Sequence, residues 1–542
     1  MSASSKKKLR KEQEAAKMTE KQLAAQKEAK KVNLYTTVFV VVMAVILVIA
    51  VVVGVNQTIT GNGLREKNTV AMTIGNEKIS NAQLNYFYMD AVNNFYSNYG
   101  SYASMFGLDV TKPLNEQFVD EEAGLTWADD FLTSAKDSAT SVYTLAAEAE
   151  AAGYTLPEET AADLESQLSS LDLYATMYGY ANGDDYLKAI YGKGASKDGY
   201  LEYTKLNALA NSYYNHYAES LTYADADLRA AEEENFGAFS SYTFNAYYMP
   251  VSRYQQGGTT DETGVTTYSD EEKAAAAESV KTAAESLKAE TITSVEELDA
   301  AILALSINEG ATTASTAYTD TQYSSVNGAY AEWISSADRK EGDLEIFPYE
   351  TTSDEGTILN GYYVVYFLSS NDNTFALKDA RHILVAFQGG TTDENTGATT
   401  YSDEEKAAAK ATAEQILADW KAGEATEDSF AALANEKSDD GDGTTGGLYA
   451  NIYPGQMVTS FNDWCYDAAR KTGETGIVET EYGYHVMYFV GDSATTYRDY
   501  QIENQLRTND VNTWYNDLIT GAELTEGDTK YLSMDLVLSP AA

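Results

Sequence analysis

Residues 380–385 read A-R-H-I-L-V, and residues 482–490 read Y-G-Y-H-V-M-Y-F-V. Both runs are rich in β-branched and aromatic residues, the pattern of strands packed into a small sheet. Each carries one histidine, His382 and His485, and the whole chain has three. Between them the sequence reads helix, acidic loop, Gly-rich turn, helix. The module Ala376–Asp492 therefore opens and closes on strands that bear a histidine at matching places.

The order of local motifs inside this module is specific. R-H-I-L at 381–384 is followed by S-F-A-A-L-A-N-E-K-S-D-D at 429–440. Then come G-G-L-Y at 446–449, G-Q-M-V-T-S-F at 455–461 and Y-G-Y-H at 482–485. In this order the module resembles the parvulin family of peptidyl-prolyl isomerases. The resemblance implies a small antiparallel sheet flanked by helices, with His382 and His485 facing each other on adjacent strands. It implies Asp440 as the third polar group of a catalytic set, and Leu448, Met457, Phe461 and Tyr482 as the substrate-binding set around a proline ring. Two departures stand out. The family's Gly-Gly-Asp-Leu-Gly is Gly446-Gly447-Leu448-Tyr449 here, and one extra residue separates Leu448 from Met457.

The implied reaction needs no nucleophile, metal or cofactor. The barrier about an X-Pro bond reflects amide resonance, about 18–20 kcal/mol. A catalyst has to bind the twisted amide better than the planar one. No Lys or Arg occurs between Arg381 and Lys406, which argues against recognition of phosphorylated Ser/Thr-Pro, since a phosphate needs a basic cluster. Counted from Asp440, the twelfth position is Asn451 rather than Glu, which argues against a calcium loop. Neither strand histidine has a serine or cysteine nucleophile nearby, and the single Cys465 excludes an intramolecular disulfide.

Much of the module occurs twice. Q-G-G-T-T-D-E-T-G-V-T-T-Y-S-D-E-E-K-A-A-A from Gln256 returns from Gln388 with one added asparagine, and N-G-Y-Y-V-V-Y-F at 360–367 returns as Y-G-Y-H-V-M-Y-F. A degenerate first copy is expected over 240–370, and the parvulin domain over 375–492. Aligning A-Y-Y-M-P-V with A-R-H-I-L-V puts Tyr248 at the place of His382. Tyr363 takes the place of His485. The first copy is thus expected to be silent, with S-I-N-E-G-A-T-T at 306–313 in place of the acidic loop and no match to G-Q-M-V-x-x-F.

Outside the repeat, V-A-M-T-I-G-N-E-K-I-S at 70–80 reads as strand, turn and strand, and Ser80 with Gln83 as a capping box. Residues 66–236 are mostly helical by pattern, completed by 493–542, and match the helical chaperone region of the PrsA/SurA-type foldases, which the whole chain resembles. Residues 1–33 form a basic tail with ten Lys/Arg against four Glu, and the uncharged run around 34–55 is long enough for a transmembrane anchor. The expected fold class is α+β: one transmembrane helix, a helical chaperone region and two tandem parvulin-like domains. The expected location is the cell membrane, single-pass, with the N-terminus cytoplasmic and the remainder outside.

The net charge of −46 repels nucleic acid. The expected partners are unfolded or partly folded exported polypeptides and, through one helix, the membrane; a homodimer stays open. A holding chaperone without catalysis, or a scaffold using the fold for binding only, is the alternative function.

Overall fold

The computed structural model describes residues 63–538 apart from 309–313, 354–355, 394–395 and 442. They divide into two compact units. One is Tyr223–Leu506; the other combines the described residues up to Thr222 with those from Arg507 onward.

In the second of these, strands Val70–Ile74 and Glu77–Ser80 form the expected hairpin, and Leu524–Glu526 pairs on the other side of Val70–Ile74. The capping box is present: Ser80 Oγ accepts the Gln83 amide at 3.3 Å, and Gln83 Oε1 accepts the Ser80 amide at 3.0 Å. Helices Asn81–Tyr99, Trp127–Ala151, Glu158–Met177, Gly183–Tyr191 and Lys197–Ser220 follow. The first four end within two residues of a glycine, which continues a helix poorly; Lys197–Ser220 ends at Leu221 without one. Their core is aromatic, with Tyr86, Phe87, Tyr88, Trp127 and Phe131 all buried. Asp90 accepts the hydroxyls of Tyr203 at 2.5 Å and Tyr191 at 3.1 Å. Burial outweighs these bonds and pushes its carboxyl up to about 6. Tyr102, Met105 and Phe106 leave an apolar surface open, at 60%, 80% and 50% exposure, and Leu173 and Met177 are exposed elsewhere in the unit.

The unit Tyr223–Leu506 holds two four-stranded antiparallel sheets of the same topology. The first sheet runs, in spatial order, Thr316–Gln322, Ser241–Pro250, Gly356–Asn371, Leu344–Ser353. The second runs Leu448–Ile452, Ala376–Ala386, Gly483–Thr496, Thr475–Glu479. Each sheet separates two apolar clusters. In the second copy, Ile383, Val385 and Val486 face helices Asp403–Ala422 and Glu427–Lys437. Ala380, Met487, Met457 and Phe461 form the other face.

Strand register corrects the alignment of the copies. Gly361 pairs with Pro250 as Gly483 pairs with Ala386. Tyr363 then answers His485, but Ala246, not Tyr248, answers His382. The cause is a four-residue 3-10 helix, Val251–Tyr254, inserted between the strand and the repeated Gln-Gly-Gly. The proline-pocket motif also has a counterpart. Trp333 and Trp464 hold equivalent places, each under an arginine at 4.6 and 4.1 Å, so Val326 and Tyr330 answer Met457 and Phe461.

The segment joining the copies is fastened by buried polar groups. Asn373 lies in the left-handed region (φ 55°), which asparagine tolerates. Its Nδ2 donates to Phe239 O at 3.0 Å, and its carbonyl accepts the Arg498 amide at 2.7 Å. The Arg498 guanidinium is 1% exposed. It pairs with Glu232 at 2.5 Å, donates to Asp372 O and Phe236 O, and stacks on Phe236 at 3.6 Å.

The mixed α+β architecture with small antiparallel sheets is as expected; its membrane component is corrected. No helix of the described residues is long and apolar enough to cross a membrane. Acidic and basic residues recur along these helices, as in Trp127–Ala151, and a bilayer interior excludes them. The transmembrane element of the fold class, the single-pass location with its cytoplasmic N-terminus, and the membrane as a partner are therefore withdrawn. The run 34–55 on which they rested lies outside the described residues.

Candidate active site

Alternation along Ala376–Ala386 sends Ala380 and His382 to one face of the sheet and Ile383 and Val385 to the other. His382 lies opposite Met487, and His485 lies opposite Leu384. The two histidines are thus diagonal neighbours on adjacent strands, a separation that aromatic rings can span. Their rings are 5.1 Å apart and 26° from parallel, and their Nδ1 atoms are 2.9 Å apart. Both side chains are buried, at 2% and 1% exposure.

Each residue of Ser438-Asp439-Asp440 has a separate task where helix Glu427–Lys437 ends. Ser438 Oγ accepts the Leu384 amide at 3.0 Å, and Asp439 Oδ2 accepts the Ala386 amide at 2.9 Å. With the loop fixed to the strand in this way, Asp440 Oδ2 reaches His382 Nε2 at 3.1 Å. Tyr449 donates its hydroxyl to the same oxygen at 2.7 Å. On the far side, Thr480 Oγ1 lies 2.9 Å from His485 Nε2.

These contacts form one chain: Asp440, His382, His485, Thr480. It is satisfied with both rings neutral. His382 donates from Nε2 to the carboxylate and accepts at Nδ1 from His485, whose Nε2 accepts the Thr480 hydroxyl. Burial, followed by the neighbouring His382, pulls the His485 imidazole down to about 3, against the attraction of Asp440. For Asp440, burial acts to raise the carboxyl. The hydrogen bonds donated by His382 and by the Tyr449 hydroxyl outweigh it and hold the group at about 2. The Asp440 side chain is 25% exposed. The carboxylate, and not either imidazole, is the group an incoming peptide can touch.

Phe461 stands edge-on to both imidazoles, 5.5 Å from each ring. Met457 packs in the same cluster, and both are fully buried. Tyr482 is 39% exposed on the loop before the closing strand, where its carbonyl accepts the Phe387 amide at 3.1 Å. Leu448 does not join them. It pairs with Arg381, while Tyr449 pairs with Ala380 and turns its ring to His382 at 4.8 Å and to Phe461 at 6.2 Å. Tyr449 and Thr480 are the two contacts that the sequence reading missed. The departure at Gly446–Tyr449 was the signal for the first; the second is an ordinary threonine five residues before His485. A cavity of about 470 Å³, lined by Phe375, Lys378, Cys465 and Arg470 among others, contains none of these residues.

Residues 363–491 match the family model of the PPIC-type PPIASE domain. Among the curated proteins none matches the chain. Several solved structures are similar to it. Peptidylprolyl isomerase PrsA from Bacillus anthracis is 21% identical, over 28% of this chain and 59% of that one, with a TM-score of 0.17. PrsA from Bacillus cereus is 23% identical, over 31% and 59%, with a TM-score of 0.17. PrsA from Bacillus subtilis is 16% identical, over 76% and 93%, with a TM-score of 0.27. The chain thus spans 59% of the length of the first two.

Proposed function

With a PPIC-type peptidyl-prolyl isomerase domain as its second copy, we propose that this protein is a foldase. It isomerises X-Pro bonds of unfolded or partly folded polypeptides at the second copy and holds those chains through its helical unit. The carrying observation is the buried 2.9 Å contact between His382 and His485, bracketed by Asp440 and Thr480. Exported polypeptides are the client class that the family resemblance implies. The domain division proposed is a helical holding unit, a first parvulin-like copy over 240–370 and the isomerase copy over 375–492.

The geometry supports a division of labour. In a planar amide, resonance puts negative charge on the carbonyl oxygen and double-bond character on C–N. Twisting withdraws that charge. A carboxylate kept ionised beside the amide disfavours the planar state relative to the twisted one, which is the differential binding catalysis requires. Asp440 is assigned this role as the catalytic residue. His382 and His485 are positioning residues: they fix the carboxylate from behind and keep it ionised. Phe461 and Met457 form the apolar floor, Tyr449 the wall and Tyr482 the rim.

The holding function has its own support in the open surface of Tyr102, Met105 and Phe106. Exposed apolar patches of this kind mark binding surfaces.

A protease-coupled assay on proline tetrapeptides tests the isomerase reading. Turnover by the full chain, lost in Asp440→Ala, is expected. Wild-type turnover in a folded Asp440→Ala variant would reject the assignment.

A further inference from the structure

The first copy has lost both imidazoles yet keeps the frame around them. Tyr318 pairs with Phe244 as Tyr449 pairs with Ala380. Tyr330 stands 5.4 Å from Tyr363 at 66°, much as Phe461 stands 5.5 Å from His485 at 90°. Phe347 lies opposite Tyr363 as Val478 lies opposite His485. Two residues further along, Tyr349 falls at the place of Thr480. The polar chain of the second copy is thus replaced by aromatic rings, with Ala246 where His382 would stand.

The rings form one cluster in mutual contact. Tyr363 is 4.8 Å from Tyr248 and 5.7 Å from Tyr349. Tyr248 and Tyr349 are 5.8 Å apart at 84°, so their planes stand at a right angle. The hydroxyls are anchored: Tyr248 donates to Asn360 O at 3.1 Å, and Asn327 Nδ2 donates to the Tyr363 oxygen at 3.2 Å. Val326 and Tyr330 are buried beneath, while Tyr248, Tyr349 and Tyr363 are half-buried and offer ring surface to solvent.

We propose that this cluster is a non-catalytic binding surface for extended, proline-containing polypeptide, with the proline ring laid on the exposed ring surface of Tyr248, Tyr349 and Tyr363. The position is that of the proline pocket in the second copy, and the choice of proline as ligand rests on the isomerase reading of that copy. The chemistry suits it. A proline segment is already extended and loses little freedom on docking, and aromatic rings are what such segments dock against. Tyrosine supplies a rigid apolar face with a polar tip. The cluster residues carry no carboxylate or imidazole, so a bound amide meets no group among them that distinguishes its planar from its twisted form. The first copy retains a proline segment; the second acts on it.

The test uses the full chain and two probes, a ten-residue oligoproline and a Gly-Ser peptide of equal length, titrated by calorimetry. Oligoproline should bind and Gly-Ser should not. Tyr363→Ala and Tyr349→Ala should each weaken oligoproline binding about tenfold or more, with tetrapeptide isomerisation unchanged within about twofold. Tyr349 is half-exposed, so its variant carries the test if Tyr363→Ala fails to fold. Wild-type affinity in a folded Tyr349→Ala variant, or equal binding of the two probes, would overturn the proposal. If oligoproline binding depends on Tyr349 but the chain isomerises nothing, the isomerase reading fails and the binding site stands.

Discussion

Tyr449 and Asp440 are joined by a 2.7 Å hydrogen bond from the phenol to the carboxylate oxygen that also receives His382. One oxygen thus accepts two donors, while the side chain as a whole stays 25% exposed. The same two donors depress the carboxyl and fix its position.

That arrangement predicts graded effects. Asp440→Asn should lower kcat/KM roughly a hundredfold, the scale of losing a preorganised electrostatic group. Tyr449→Phe should lower it less and raise the pH at which activity is lost on acidification, because one of the donors that depress the carboxyl is gone. A pH–rate profile of Tyr449→Phe that overlays the wild type would show that the phenol has no such part.

The buried imidazole predicts the pH dependence of stability. His485 is depressed from 6.5 to about 3, so in the acid range the unfolded chain takes the proton more readily than the folded one. Stability of the unit Tyr223–Leu506 should be fully present above about 6.5 and fall as the pH drops toward 3. Asp440, depressed from 3.8 to about 2, adds a further loss below about 3.8. Asp90 in the other unit has the opposite sign. Its carboxyl is raised from 3.8 to about 6, so that unit gains stability as the pH falls from 6 to 3.8. Calorimetric scans between pH 7 and 4 should show the transitions of the two units moving in opposite directions; parallel movement would contradict both assignments.

Arg498→Ala should destabilise its unit by about 1–3 kcal/mol, since the Asp372 and Phe236 carbonyls lose their donor, while Glu232 keeps Arg229. Arg498→Lys should not rescue it, because an ammonium cannot reproduce the planar fork that serves Glu232, Asp372 and Phe236 together. Urea titration measures both; full recovery with lysine would mean that charge alone matters there.

Replacing Tyr102, Met105 and Phe106 by serine should halve or better the suppression of client aggregation while moving the melting temperature little, because exposed side chains contribute little to the core. An unchanged aggregation assay would assign client holding to another surface.

Alternation by itself showed only two strands that each bear a histidine. The sequence made the topology of the second copy and the meeting of His382 with His485 legible through its resemblance to a known family, carried by the order of R-H-I-L, S-D-D, G-Q-M-V-x-x-F and Y-G-Y-H. It failed where register decides. Leu448 and Tyr449 are adjacent, and only the pairing with Arg381 and Ala380 shows which side chain reaches His382. Tyr248 was aligned with His382 because nothing in the letters marks Val251–Tyr254 as an inserted turn. Thr480 was missed because a threonine is a hydrogen-bond partner only once the strand beside it is in place.

The fastening at Asn373 and Arg498 has a consequence for how the molecule comes apart. Residues of the first copy, of the segment before it, of the segment between the copies and of the helix that follows the second share that buried knot. The first sheet therefore cannot melt without exposing polar groups of the helix that leaves the second. Two domains that look separable in sequence should unfold as one cooperative block, in a single calorimetric peak, and cutting the knot is what would let the peak split in two.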